Sequence, residues 1–152
     1  MKYTCPLCSI NPLSHSLTKI TEKDDTVYYY TCPAKAELYF DKNSILNHYD
    51  GVFSEIPVNK QWVWIFDGLD FNLNHFLQIE IGIELTKLVS QKFSENLKAV
   101  IVINPTFYIS SVYNIIYPFL SEKMKSIIQV NYNYKNYDNI EKSELLNHLL
   151  AV

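Results

Sequence analysis

Two short apolar runs separated by a long amphipathic segment most constrain how this chain can fold. Residues 62–66 (WVWIF) contain no charged side chain, and residues 97–103 (LKAVIVI) carry a single lysine. Runs of this kind are typical of strands that are buried on both faces of a parallel sheet. Between them, residues 72–93 place apolar side chains at helical spacing, with Asn72 or Asn74 as a candidate N-cap. The pattern predicts a parallel βαβ unit.

The segments before this unit add a strand and a helix. Residues 26–31 include three consecutive tyrosines and have the composition of a strand, which follows a turn at residues 22–25. Residues 43–49 place apolar side chains at helical spacing, with Ser44 as a candidate cap and an Asp-Gly pair at 50–51 as the end.

The segments after the unit continue the alternation. Thr106 is a candidate cap for a helix that is interrupted at Pro118, and residues 121–125 predict a further short helix. Residues 126–132 predict another strand, and residues 141–150 predict a closing amphipathic helix. The complete order predicts an α/β fold with a mostly parallel sheet and helices packed over it.

The length of the chain, 152 residues, indicates one domain with room for a small appendage. Residues 1–20 contain two cysteines, several polar turn formers and little apolar periodicity. We therefore expect residues 1–20 to form an N-terminal cysteine-containing appendage and residues 21–152 to form the domain.

Composition excludes several classes of function. All 13 cationic side chains are lysines and the net charge is −3, so neither guanidinium recognition of bases nor an electrostatic footprint for nucleic acid is present. Three glycines cannot supply a dinucleotide fingerprint or a phosphate-binding loop. The apolar runs are too short to span a membrane, and the first residues lack a secretory signal pattern, so we expect a cytoplasmic protein.

The cysteines raise the question of a metal site. Cys5 and Cys8 have the Cys-Pro-x-Cys spacing of a zinc knuckle, in which a tight turn directs two thiolates at one ion. His15 and Cys32 are the candidates for the remaining two ligands, which gives a structural zinc site of three cysteines and one histidine. The alternative is that all three cysteines are ordinary reduced thiols. A redox pair is less consistent with a position so close to residue 1.

The polar residues offer little for catalysis. The nucleophile-elbow and zinc-protease motifs are missing from the sequence. Asp67 and Asp70 follow a predicted buried strand, where open α/β sheets bind ligands, but Asp67 is better interpreted as a turn residue. His48 and His75 are interpreted as helix-surface or capping residues. The sequence therefore predicts a protein that is not an enzyme and needs no catalytic cofactor.

Residues 107–120 carry more large apolar side chains than one core-facing stripe needs. One interpretation is a helix that is buried on two sides. The other is a wall that faces an apolar ligand cavity or a partner surface.

Three segments, in order and at matching spacing, resemble the CRAL-TRIO family of lipid-binding domains. They are WVWIFDG at 62–68, FSENLKAVIVINP at 93–105 and YNIIYPFLSEKMKSI at 113–127. The resemblance implies the same α/β fold, with residues 117–128 as the gate helix that covers the lipid. Residues 104–109 (NPTFYI) are also similar to the BCH branch of this fold, whose members are chiefly protein-interaction scaffolds.

The resemblance implies binding, transfer or sensing of a hydrophobic ligand such as a phospholipid, in an apolar cavity under the 118–128 helix. It implies at most transient contact with membranes. The candidate cavity residues are Phe107, Tyr108, Val112, Tyr113, Ile116, Phe119, Leu120 and Met124. The alternative is a BCH-like scaffold that binds a small GTPase or its regulator and holds no lipid.

Overall fold

The computed structural model of the protein describes residues 3–131, and these form one sheet with helices beside it. The strands are β1 (Leu17–Lys23), β2 (Thr26–Thr31), β3 (Gln61–Asp67), β4 (Leu97–Ile103) and β5 (Ile128–Val130). The helices are α1 (Pro6–Ile10), α2 (Lys42–Phe53), α3 (Leu73–Phe76), α4 (Ile79–Leu88), α5 (Phe107–Ile116) and α6 (Glu122–Ile127).

The strands lie in the sheet in the order of the sequence, which decides where the helices go. β2, β3, β4 and β5 are parallel neighbours, and β1 is antiparallel to β2 at one edge. Each parallel connection passes through helix, and such crossovers are right-handed. From β2 to β5, each strand lies on the same side of the strand before it. Right-handed crossovers between such strands place α2, α4, α5 and α6 on the same face of the sheet. The predicted α/β fold with a mostly parallel sheet is confirmed.

The register gives the sheet two different faces. Tyr29, Trp64 and Val100 are aligned across β2, β3 and β4 and belong to the larger hydrophobic cluster, which they share with α2, α4 and α6. The alternate positions, such as Tyr28 and Val63, form a smaller cluster on the opposite face. Both faces of the central strands are buried, as their continuous apolar runs predict.

The strand β1 was not predicted from the sequence. It is an edge strand in which Leu17 alone is buried, so it lacks the apolar run that marks β3 and β4. Asp24 and Asp25, with φ of 53° and 61°, form the two-residue turn that joins it to β2, a geometry typical of a tight hairpin. The proposed domain boundary after residue 20 therefore falls inside β1, and that division of the chain stays a prediction.

Three predicted elements differ in their bounds. The helix expected over 72–93 is divided into α3 and α4 and ends in a π-helical turn, Val89–Phe93. α2 is capped by the Asp41 side chain rather than by Ser44, and it continues through Gly51 because a helix interior tolerates glycine at a modest cost. β5 is shorter than the expected 126–132. The closing helix at 141–150 lies outside the described residues.

Candidate functional site

An apolar cavity of about 110 Å³ lies between the sheet and its helical layer. Val100 and Val102 of β4 form part of its floor, and Leu85 of α4 forms part of one wall. Its full lining is Pro33, Tyr39, Tyr49, Trp64, Phe66, Phe71, Gly82, Leu85, Thr86, Val89, Val100, Val102, Ile109, Val112, Tyr113, Ile116, Leu120, Met124 and Ile128. The lining contains no charged side chain, so the cavity is chemically suited to hydrocarbon.

Three polar side chains of the lining, Tyr49, Trp64 and Thr86, are bonded within the protein. The Thr31 hydroxyl accepts a hydrogen bond from Nε1 of Trp64 at 3.0 Å and one from the Tyr49 hydroxyl at 3.3 Å. The Thr86 hydroxyl donates to the carbonyl oxygen of Gly82 at 2.7 Å. Burial raises the pKa of Tyr49, which keeps this hydroxyl neutral at physiological pH. The cavity therefore offers shape and apolar contact rather than a charge.

Five of the eight residues predicted for the cavity line it in the structure. They are Val112, Tyr113, Ile116, Leu120 and Met124. Phe107 lies in the first turn of α5 and is 78% exposed, and Phe119 is also exposed. Tyr108 is half-buried and packs on Phe76. Only one side of α5 faces the cavity. The apolar residues on its other side therefore point away from the cavity, although nearly the whole segment is apolar.

Most of the remaining lining comes from segments that the sequence analysis did not connect with a ligand. Trp64, Val100 and Val102 were assigned to buried strands, and α4 was interpreted only as a covering helix. The available signal was the alternation of side chains along each strand. Every second residue faces the helices, and these residues also face any space left beneath the helices. The sequence gives no measure of how completely that space is filled.

The segment predicted as a gate helix, residues 117–128, is a short 3-10 turn (Tyr117–Phe119), then α6, and then the start of β5. We call residues 117–127 the lid. Leu120 and Met124 are its buried side chains, and both line the cavity. Ser121 caps α6 by accepting from the Met124 amide at 3.1 Å. On the outer side, Lys123 donates to the Glu95 carbonyl oxygen at 2.6 Å.

The carboxylate Asp67 has a structural role. It is buried at the end of β3 and accepts hydrogen bonds from the Tyr30 hydroxyl, from Nδ2 of Asn104 at 3.0 Å and from the Leu69 amide at 2.9 Å. It thereby joins β2, β3 and the turn after β4. His75, which was interpreted as a capping residue, does accept from the Asn72 amide in a capping box.

A second constellation lies where the N-terminal segment meets α2. Cys5 and Cys8 of the first helical turn, His15 and His48 bring one sulfur or nitrogen atom each to within 4.8 Å of one another. Cys8 is half-buried and the other three side chains are buried. Burial and repulsion by His15 lower the pKa of His48 to about 4, and burial also lowers the pKa of His15. Both imidazoles are therefore neutral at physiological pH.

The structure corrects the fourth member of the expected metal set. Cys32 is completely buried in the smaller hydrophobic cluster, and its sulfur lies 3.8 Å from the Leu69 carbonyl oxygen, away from the other cysteines. His48, which was expected on a helix surface, is 6% exposed and occupies the position expected for Cys32. The signal was available, since Ile45, His48 and Tyr49 share the i, i+3, i+4 spacing of one buried helix face.

The architecture described above places the protein among the α/β domains with a CRAL-TRIO-like fold. A family model described as the CRAL/TRIO domain matches residues 50–149, more than half of the sequence, and the chain belongs to that family. Proteins of this family bind or transfer lipids and other hydrophobic small molecules, and in general they are not enzymes.

Solved structures with a similar fold include the crystal structure of Sfh5, with a TM-score of 0.60 at 12% sequence identity. The match covers 94% of this chain and 66% of the Sfh5 chain, so the chain spans about two thirds of the length of that protein. At 12% sequence identity, the similarity to Sfh5 shows a shared fold and nothing more. No match was found among curated proteins. The similarity to the BCH branch stays a prediction.

Among residues 3–131, no helix is long and apolar enough to cross a membrane.

Proposed function

We propose that this protein binds the acyl chain of a lipid in the cavity beneath the lid. The observation that carries the proposal is the cavity itself, which has no charged side chain in its lining. It lies under the lid and is lined by residues of the sheet, of α4, of α5 and of the lid. Membership in the CRAL/TRIO family supports a hydrophobic ligand. The lining contains no charged side chain, and the Tyr49 and Thr86 hydroxyls are already bonded within the protein, which favours hydrocarbon over a charged ligand.

The size of the cavity implies that the lid moves when the ligand binds. A volume of about 110 Å³ is below the roughly 300–1,000 Å³ of sites that enclose a whole small molecule. The lid is a short segment with two buried apolar anchors, Leu120 and Met124, and its outer polar tie is the exposed contact of Lys123 with Glu95. Segments with so few buried contacts open at low free-energy cost. Outward displacement of the two anchors would enlarge the space above Val100.

The outer surface of the lid suits brief contact with a membrane, where a lipid would be collected. Tyr117 and Phe119 are both nearly half exposed. The Lys125 amine lies 4.6 Å from the Tyr117 ring centre, and the Lys87 amine lies 5.5 Å from that of Phe119. Aromatic rings beside lysines are suited to the boundary between headgroups and acyl chains. This surface supports loading at a membrane without insertion of a helix.

One observation favours the second candidate function, a protein-interaction scaffold. A domain that binds no lipid would also have a cavity of this small volume. The exposed rings of Phe107 and Phe119 would then belong to a surface that binds another protein. The two functions differ in whether a lipid accompanies the protein, which can be measured directly.

We expect the protein, purified without detergent, to carry one lipid per chain. The measurement is a native mass spectrum followed by solvent extraction and identification of the extracted lipid. A protein that emerges without lipid should take up a fluorescently labelled phosphatidylcholine or phosphatidylinositol from vesicles. A lipid-free mass combined with failure to take up either probe would overturn lipid binding and favour the scaffold.

A further inference from the structure

The four side chains where the N-terminal segment meets α2 have the spacing of a tetrahedral metal site. The Nδ1 atom of His15 lies 3.6 Å from the Cys5 sulfur and 3.4 Å from the Cys8 sulfur, and Nδ1 of His48 lies 3.8 Å from the Cys8 sulfur. With zinc–sulfur bonds of about 2.3 Å and zinc–nitrogen bonds of about 2.0–2.1 Å, a tetrahedron separates sulfur from nitrogen by about 3.6 Å. The observed distances agree with these edges.

The cysteine pair has the local geometry of a metal knuckle. Cys5 is the N-cap of α1, and its sulfur accepts a hydrogen bond from the Cys8 amide at 3.4 Å. Pro6 occupies the first helical position, which fixes the backbone as the chain turns. The turn therefore brings the Cys5 and Cys8 sulfurs into one cluster, where a single ion can contact both.

The hydrogen bonds of His15 fix which of its nitrogens faces the sulfurs. The Ser44 hydroxyl donates to the Asp41 carbonyl oxygen at 3.1 Å, so its oxygen is left to accept from Nε2 of His15, also at 3.1 Å. A proton on Nε2 leaves the lone pair on Nδ1, the atom that lies between Cys5 and Cys8. Metal-binding histidines are commonly oriented in this way through their second nitrogen.

We propose that Cys5, Cys8, His15 and His48 form a structural zinc site. Two thiolates and two imidazoles are a standard donor set for tetrahedral zinc, and all four positions are supplied by protein, as in sites that stabilise a fold rather than catalyse. Binding replaces the two thiol protons with one zinc ion, and the protons go to solvent. This proposal is independent of the proposed lipid binding.

The site would attach the N-terminal segment to α2. The two are already in contact: Nε2 of His15 donates to the Ser44 hydroxyl of α2 at 3.1 Å, and the Tyr3 ring lies against Gly51. The Tyr3 amide also donates to Glu55, just after the helix, at 2.6 Å. His48 precedes Tyr49, which lines the cavity. A metal ion at His48 would therefore hold the start of the chain and fix one wall of the apolar cavity.

The test measures metal content in the whole protein, purified without a histidine tag under reducing conditions. We expect one zinc per chain by elemental analysis. Cys8→Ser and His48→Ala should lose the zinc, whereas Cys32→Ala, which removes the cysteine outside the cluster, should retain it. Zinc that is lost in Cys32→Ala and retained in His48→Ala would overturn the ligand set.

A measurement on the unmodified protein covers the case in which a variant does not fold. Zinc-free protein titrated with Co²⁺ should take up one equivalent and give the strong visible bands of tetrahedral cobalt together with sulfur-to-cobalt charge transfer. A chelator should then lower the Tm of the zinc-bound protein. The absence of stoichiometric uptake of Co²⁺ or Zn²⁺ by the reduced protein would overturn the proposal.

Ser44→Ala tests the assigned orientation of His15. Removing the acceptor of the Nε2 proton should weaken zinc affinity by about 10- to 100-fold, measured by competition with a chelator of known affinity. Ser54→Ala removes a hydroxyl at the other end of α2, which donates to the Asp50 carbonyl oxygen, and should leave the affinity unchanged. Equal affinities in the two variants would overturn the assignment of Nδ1 as the ligand atom of His15.

Discussion

Val100→Phe should abolish or strongly weaken the binding of a lipid acyl chain while leaving the domain folded. Val100 lies on β4 at the floor of the cavity, aligned with Trp64 of β3 and Ile128 of β5. A phenyl ring at this position projects into the space that the acyl chain would occupy. We expect the affinity for a fluorescent phospholipid to fall by about tenfold or more, which corresponds to at least about 1.4 kcal/mol.

The matched control for this variant is the neighbouring position on the same strand. Ile101 points to the opposite face of the sheet, where it packs against the smaller cluster, so Ile101→Phe enlarges a side chain without entering the cavity. Overpacking costs about 1–3 kcal/mol, so the Tm of both variants must be recorded. Unchanged phospholipid uptake by a folded Val100→Phe variant would show that the ligand does not occupy this cavity.

The sheet and most of its helices could be predicted because burial on both faces leaves a strong mark in the sequence. The apolar runs of β3 and β4 are continuous, and the Thr106 cap marks the start of α5, where its hydroxyl accepts from the Ile109 amide at 3.3 Å. β1 could not be found in this way. One of its sides is exposed, and it is specified by its pairing with β2 and by the Asp24-Asp25 turn.

The candidate sites were predicted less well because each depends on distant parts of the chain. The sequence identified Val112 and Met124 of the cavity wall, but the floor at Val100 follows from the packing of α4 and the lid over β4. For the proposed zinc site, spacing identified Cys5 and Cys8. The choice between Cys32 and His48 depends on which of them the fold turns toward the knuckle, and β2 directs Cys32 to the opposite cluster.

Phe53→Ala should produce the largest loss of stability of any substitution considered for this protein. Phe53 is 1% exposed and ends α2 within a group of aromatic rings. Its ring centre lies 4.4 Å from that of Trp62, 5.4 Å from that of Tyr29 and 5.5 Å from that of Phe93. Truncating such a side chain removes its transfer free energy and leaves a cavity, at a cost of about 3–5 kcal/mol.

The loss should be seen as a lower midpoint of denaturation in urea, followed by tryptophan fluorescence. Phe40→Ala is the matched control, because the same substitution at a side chain that is 66% exposed should change the free energy of unfolding by no more than about 0.5 kcal/mol. Phe53 also packs on Tyr49 and Trp64, which line the apolar cavity. If Phe53→Ala and Phe40→Ala unfold at the same urea concentration, the aromatic cluster does not hold α2 on the sheet. A large difference between them would show that the Phe53 ring, which packs against the wall of the apolar cavity, holds α2 on the sheet.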